Sequence, residues 1–351
     1  MRIVMVSKIG CIRVQKTALP LIRKGHEVHL LARAVPSFAE EYKTFSFAWD
    51  IGQFIEAIAL YEPMVDIWHV HNEPSYFVQI IKEYSRKPVV LDVHDSHIAR
   101  VSADEWESGM DDGKHYLRIT TDERNNFQLA DALVFVSETV RDMVCREYRL
   151  TQPNVVVPCA VPYRLYRYKT KDWWGGLVCE GMMETRAKIE RKPEMYGYAY
   201  TNYEDLAKEC MRLGIDFHIY SNNTEDEFID TYKDLCIYHS PEPYLDLLES
   251  LSQHDWGLVG NLKSYRALES VLPNKLFDYI AAGVPPVCMH AWESASLVLK
   301  HGIGIEVRSL EELASRWGEH RECRKRLLSM RWQLAMESWI PGLENLYREL
   351  L

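Results

Sequence analysis

The chain has no Cys-x-x-Cys pair, although eight cysteines are scattered through its 351 residues. Thiols spaced in this way argue against a structural zinc ribbon and against a disulfide frame, and they fit a reducing cytoplasm. No apolar run approaches the ~20 residues that a membrane-spanning helix needs. The opening run from Met1 to Ser7 is too short for a signal peptide and reads as a buried strand. No basic block stands out either. Against 41 Lys and Arg stand 51 Asp and Glu, a net charge of −10, so nucleic acid is not an expected partner. The nearest basic cluster is Arg321, Arg324, Lys325 and Arg326. A solvated helix face explains it as well as a membrane-facing patch does, which leaves peripheral contact with the inner face of a membrane open. A full Gly-x-Gly-x-x-Gly is also absent, which removes the usual dinucleotide fingerprint.

What is present is enough for two domains of ordinary size: 47% of the residues are hydrophobic. Residues 2 to 7 form an apolar strand, a loop with Gly10 follows, then a helix to about Lys24 and a second strand from Val28 to Ala32. That is a βαβ opening. Arg13 follows the glycine loop, where it can meet a phosphate or point to solvent. Further strands are expected at 65–70, 88–93, 132–136 and 155–157, with helices at 76–84, 122–129 and 138–148. The polar stretch from about 96 to 121 reads as a long loop, and such loops commonly bind ligands. Residues 159 to 174 read as a connection between domains. A second series has strands at 177–180, 216–220, 256–259, 286–289 and 304–307, helices at 203–213 and 244–252, and an irregular stretch at 182–198. The tail from Arg321 is helical, with a break at Pro341-Gly342.

The stretch from Leu272 to Val287 carries the most information. Asn274 is placed to cap a short helix, Leu276, Tyr279 and Ile280 give it an apolar face, and Gly283 with Pro285-Pro286 ends it. Backbone N–H groups at its amino end, with the charge of Lys275, suit a phosphate. Asp278, one turn in, suits two neighbouring hydroxyls such as a ribose diol. An ordinary capped core helix with a solvated Asp fits the same residues.

This stretch resembles the Pro-x-Lys-x-x-Glu-Tyr-x-Ala-x-Gly-x-Pro motif of family 4-like glycosyltransferases, through Pro273, Lys275, Asp278, Tyr279, Ala281, Gly283 and Pro285. Asp278 stands where Glu is usual, and Ser270 stands where the motif's partner Glu would fall. Shorter pieces resemble the family along nearly the whole chain: Arg2 to Val6, Gly25 to Val28, Val70-His71, Val93 to Asp95, Ala130 to Ala132 with Val136-Ser137, and Asp255 to Val259. The resemblance implies the α/β GT-B architecture, two Rossmann-like doubly wound domains facing an interdomain cleft. The expected boundaries are 1–160 for the acceptor-side domain, 161–325 for the donor-side domain, and 326–351 for a C-terminal helical segment that packs back on the first.

The resemblance also implies an activity. A sugar would pass from a nucleotide diphosphate-sugar donor to the hydroxyl of a glycan, a lipid-linked or a small-molecule acceptor, with retention of configuration. A sugar-nucleotide epimerase of the same architecture, or a donor-binding subunit without catalysis, are the alternatives. In the family a histidine at the place that His94 takes here touches the donor sugar. Donor contacts are expected from Asn274, Lys275, Leu276 and Asp278, with Gly181, Lys263, Arg266, Gly10 and Arg13 around them. His69 and His71 lie two apart on a strand and so face one way, and with His94 and His97 they make four histidines able to meet. No ligand-spacing motif supports zinc there. Asp-x-Asp, by which other transferases hold a metal on donor phosphates, is missing. The nearest sequence, Glu225-Asp226-Glu227, reads as a helix start. No metal and no other cofactor is therefore expected.

Overall fold

A computed structural model describes residues 1–35, 37–48, 50–71, 75–101, 114–169 and 174–351. The chain divides into two compact units. The first comprises residues 1–99, 115–162 and 336–351, and the second is built on 163–335.

In chain order the first unit has β1 (Arg2–Ser7), α1 (Ile12–Arg23), β2 (Glu27–Ala32), β3 (Thr44–Phe47), α2 (Ile51–Tyr61), β4 (Ile67–His71), α3 (Phe77–Tyr84), β5 (Val89–Val93), α4 (Lys114–Leu129), β6 (Ala132–Phe135), α5 (Glu138–Tyr148) and β7 (Asn154–Val156). Its sheet runs β3-β2-β1-β4-β5-β6-β7, and every pairing is parallel. Strands β1, β4, β5 and β6 are near-continuous apolar runs because helices cover both faces. Ser137 caps α5, its hydroxyl accepting from the Val140 N–H at 3.1 Å.

The second unit has β8 (Leu177–Glu180), α6 (Arg186–Arg191), α7 (Glu204–Leu213), β9 (Phe217–Tyr220), α8 (Asp226–Tyr232), β10 (Ile237–His239), α9 (Tyr244–Leu251), β11 (Trp256–Gly260), α10 (Asn274–Ala282), β12 (Pro286–Met289), α11 (Trp292–His301), β13 (Ile305–Glu306), α12 (Leu310–Ser315) and α13 (His320–Met330). Its sheet runs β10-β9-β8-β11-β12-β13. One face carries an apolar core of Leu177, Cys179, Phe217, Ile219, Trp256 and Leu258. On the other face α10 is pinned by Tyr279. Its ring lies so close to Gly257 that a Cβ there would fall 2.5 Å from it, and its hydroxyl accepts from the Glu180 N–H at 3.2 Å. The last helix, α14 (Ile340–Leu350), belongs to the first unit. Glu344 accepts from Lys24 and from Nε2 of His26, and Tyr347 meets Nδ1 of His69.

Several expectations need correction. Residues 33–64, given no elements by sequence, hold β3 and α2. The stretch at 182–198 is not irregular: Thr185 caps α6, its hydroxyl accepting from the Lys188 N–H, and a 3-10 segment covers Pro193–Thr201. Helix α4 begins at Lys114, so the end of the supposed 96–121 loop is helical, and residues 102–113 of it lie outside the described residues. Residues 170–173 of the supposed connection do so too. In the tail the break falls over 331–339, in short 3-10 turns. Pro341 instead occupies the first turn of α14, where its missing N–H costs nothing.

Candidate functional site

Ligands of open parallel sheets gather beyond the carboxyl ends of the strands, where the strand order reverses. In the first unit that point lies between β1 and β4. The loop after β1 carries Gly10, whose carbonyl accepts from Nε2 of Gln15 at 3.0 Å. Strand β4 ends at His71, and His94 follows β5 directly.

Arg13 does not reach this edge as a free phosphate ligand. It is 2% exposed and is spent inside the unit. Its Nη2 donates to Oδ1 of Asp92 at 2.7 Å and to the Val157 carbonyl at 2.8 Å, and Nη1 reaches Sγ of Cys159 at 3.3 Å. Strand alternation puts Asp92 of β5 among three histidines. Its Oδ2 lies 3.4 Å from Nδ1 of His71, 3.7 Å from Nε2 of His69 and 3.8 Å from Nε2 of His94. His69 and His71 face one way, as their spacing predicts, with rings stacked 4.5 Å apart. Nδ1 of His71 lies 3.0 Å from Nε2 of His94. His97 does not join them; its backbone N–H donates to Glu123 at 3.0 Å.

The charges here are strongly tuned. Burial raises the Asp92 carboxyl, but Arg13 and then His94 outweigh it and hold the group well below the carboxylate range. Burial pushes His94 down to about 4, with Asp92 pulling the other way. Burial, then His69, pushes His71 well down. At neutral pH these two imidazoles are uncharged beside a fixed carboxylate. Nε2 of His71 is buried and has no hydrogen-bond partner among the described residues. That is an open polar position of the sort a ligand fills.

In the second unit the strand order reverses between β8 and β11. Beyond β8 the backbone turns at Gly181, whose φ of +112° lies in the region that disfavours any side chain. A Cβ there would touch Cε of Lys275 at 3.9 Å, so the amino end of α10 abuts this turn. Nζ of Lys275 donates to the Tyr203 hydroxyl at 3.2 Å and to Sγ of Cys179 at 3.3 Å. Asn274 is not the cap residue. Pro273 takes that position with no side-chain cap bond, and Asn274 opens the helix. Leu276 is fully buried, and its N–H is spent on the Pro273 carbonyl at 3.2 Å. Asp278 is 3% exposed, not solvated, and accepts from the Tyr244 hydroxyl at 2.6 Å. Tyr244 has no marked signature in the sequence. Ser270 is buried and donates to the Arg266 carbonyl at 3.2 Å.

Lys263 is exposed and lines a cavity of about 630 Å³ with Arg186, Asn202, Asp205, Asn261 and Tyr265. Lys275 and Asp278 are not in its wall. Asn261 follows β11 and Arg186 the β8 loop, so this cavity also opens at the carboxyl edge. In the first unit a cavity of about 600 Å³ is lined by Ser75, Tyr76, Gln79, His97, Asp122 and Asn126, among others. Among the described residues no helix is long and apolar enough to cross a membrane.

Two parallel α/β sheets, each with its open edge at a strand reversal, define a class of fold, and solved structures bear it out. The chain is similar to the sucrose-phosphate synthase of Thermosynechococcus elongatus, over 100% of this chain and 99% of that one, with TM-score 0.72 at 12% identity. It is similar to Anabaena HepE, solved with UDP and glucose, over 99% and 100%, with TM-score 0.69 at 8% identity. A trehalose-6-phosphate synthase studied for glycosyl transfer with retention matches over 100% of both chains, with TM-score 0.63 at 11% identity. The architecture is GT-B. Residues 13–164 match the family model described as Glycosyltransferase Family 4, and residues 198–328 that described as Glucosyltransferase 3-like, C-terminal domain. No curated protein matches. Each half of the chain thus matches a glycosyltransferase model, and the chain is a glycosyltransferase that passes a sugar to an acceptor.

Proposed function

We propose that the second unit binds a nucleotide diphosphate-sugar at the joint between Gly181 and the amino end of α10, and that the sugar passes to an acceptor hydroxyl with retention. The observation that carries this reading is the placement of Lys275 beside the Gly181 turn, where its Cε would lie 3.9 Å from a Cβ at Gly181. It joins a glycine that lets backbone approach a ligand, a helix amino end and a fixed ammonium at one strand end. These are the components that stabilise a diphosphate, and they supply positive charge where the leaving group develops negative charge. Asp278 is assigned to the ribose, and Arg266 and Lys263 to additional charge near the donor. Gly10 is assigned to close backbone approach in the first unit. Arg13 and Leu276 are withdrawn as direct donor contacts, because the Arg13 guanidinium is spent on Asp92, Val157 and Cys159 and the Leu276 N–H on Pro273. Asp278, though buried and bonded to Tyr244, is retained because a carboxylate accepts more than one hydrogen bond.

His94 is assigned to the transfer step. A neutral imidazole can donate to a sugar hydroxyl or accept from one, and Asp92 with His71 fixes its orientation. Retention is supported by the likeness to the retaining trehalose-6-phosphate synthase. Because Lys275 and the helix end neutralise the diphosphate, transfer needs no metal on the donor. The polar cavity near Gln79, Asp122 and Asn126 is assigned to a hydroxyl-rich acceptor, since amides and carboxylates there match sugar hydroxyls.

The test is a thermal-shift panel of nucleoside diphosphates and nucleotide sugars, with UDP and UDP-glucose included, followed by donor turnover. A ligand bound only by the native state raises the melting temperature. The expected result is a rise with one nucleotide diphosphate that Lys275→Ala abolishes. A rise that survives Lys275→Ala in a folded protein would move the diphosphate away from α10.

A further inference from the structure

Three histidines of the second unit take no part in the donor arrangement. His218 is in β9, His239 closes β10, and His254 stands just before β11. The parallel register sets His218 opposite Ile237 and Tyr220 opposite His239, so His218, Tyr220 and His239 share one face at the β10 edge of the sheet. Nδ1 of His218 lies 3.0 Å from Nε2 of His239. The ring centroids of His218 and His254 are 4.4 Å apart. One nitrogen from each of the three rings falls within 4.8 Å of the other two.

The surroundings orient these rings. Nδ1 of His254 donates to the Gly175 carbonyl at 2.8 Å. The proton is thereby fixed on Nδ1, and Nε2 keeps a lone pair, 3.2 Å from the Tyr220 hydroxyl. A ligating histidine ordinarily donates its other N–H to a carbonyl or carboxylate in this way. Gly176 leaves room for His218: a Cβ there would fall 3.0 and 3.1 Å from the ring. Trp174 stacks parallel to His239 at 5.3 Å.

We propose that His218, His239 and His254 form a three-histidine site for a divalent transition metal, zinc first, which ties β10 and the chain at 174–176 to the sheet. Imidazole nitrogens suit zinc, copper and nickel. Zn–N bonds of about 2.0–2.1 Å in a tetrahedron separate the nitrogens by roughly 3.3 Å. The His218–His239 pair needs only a small opening to reach that. Water or Tyr220 completes the set. His69, His71 and Asp92 also cluster, but Arg13 already neutralises Asp92, and a dication there would face the guanidinium.

The full chain, stripped with chelator and dialysed, is titrated with zinc by calorimetry and with cobalt(II) by visible absorption. One equivalent should bind, give a cobalt band of tetrahedral intensity and raise the melting temperature. His239→Gln and His254→Gln should each lose that equivalent, whereas His71→Gln should keep it. Circular dichroism of the stripped variants verifies folding, and His239 is the part-exposed position least apt to disturb it. The proposal is overturned if the wild-type chain takes up no stoichiometric zinc or cobalt. It is equally overturned if folded His239→Gln binds as tightly as wild type, or if His71→Gln loses the metal instead.

Discussion

Nη2 of Arg13 lies 2.7 Å from Oδ1 of Asp92, and both side chains are almost wholly buried. The pair joins the first turn of α1 to β5 and sets the charge around His71 and His94. Removing one member leaves the other as an uncompensated buried charge, which costs about 3–5 kcal/mol. Arg13→Ala should therefore lower the stability of the first unit by that amount in a denaturant melt, with nucleotide affinity unchanged. Full stability with weakened nucleotide binding would restore Arg13 to the phosphate.

His94→Ala should lower turnover at least about tenfold, roughly 1.4 kcal/mol of barrier, while nucleotide affinity measured by calorimetry barely moves. If the folded variant instead loses nucleotide binding, His94 belongs to the donor site, and if it keeps full turnover, His71 is the next residue to test.

The same histidines predict an acid limit. His71 and His94 titrate lower in the fold than in the unfolded chain, where an imidazole takes its proton near pH 6.5. Below that pH the unfolded chain binds more protons. Their contribution to stability is thus complete above about 6.5 and is lost as the pH falls toward 4. Thermal melts across this window should show a downward slope that His94→Gln reduces. An unchanged slope would mean that His94 is not held neutral by the fold.

Asp278→Ala should weaken nucleotide binding by about 1–3 kcal/mol, since it strips a charged acceptor from two hydroxyls. Tyr244→Phe, which keeps the carboxylate and removes its hydroxyl partner, should cost only about 0.5–1.5 kcal/mol of stability. Calorimetry on both variants separates the roles. Unchanged binding by folded Asp278→Ala would remove the ribose contact.

If Lys275 and the end of α10 supply the charge at the diphosphate, as proposed, transfer should run at the same rate with magnesium or manganese added or omitted. A steep dependence of the initial rate on either ion would show the donor site to be incomplete.

The parts of this molecule that could be read from sequence are those whose signals are local. Helix α10 shows in the spacing of Leu276, Tyr279 and Ile280 and in the stop at Gly283. The shared direction of His69 and His71 follows from strand alternation alone. Asn274 misled as a cap because Pro273, with its extended backbone, takes the cap position without a side-chain bond. Arg13 read as a free cation because a first-turn arginine is ordinarily solvated. Its partner Asp92 lies 79 residues away, and no periodicity links two such positions. Tyr244 with Asp278, and His218 with His239 and His254, are likewise brought together by strand order. The 7- and 6-stranded orders become visible only once the crossovers are known.

The first unit takes in residues 336–351 after the chain has traced 163–335, and this sets an order of events during synthesis. A ribosome releases the second unit's main segment before it has made Glu344 and Tyr347. Until then Lys24 and His26 lack Glu344, and His69 lacks Tyr347, as partners. The unit that begins first is therefore completed last, and its exposed seam along α1 and β4 is the part of the nascent chain that depends on prompt completion or on a chaperone.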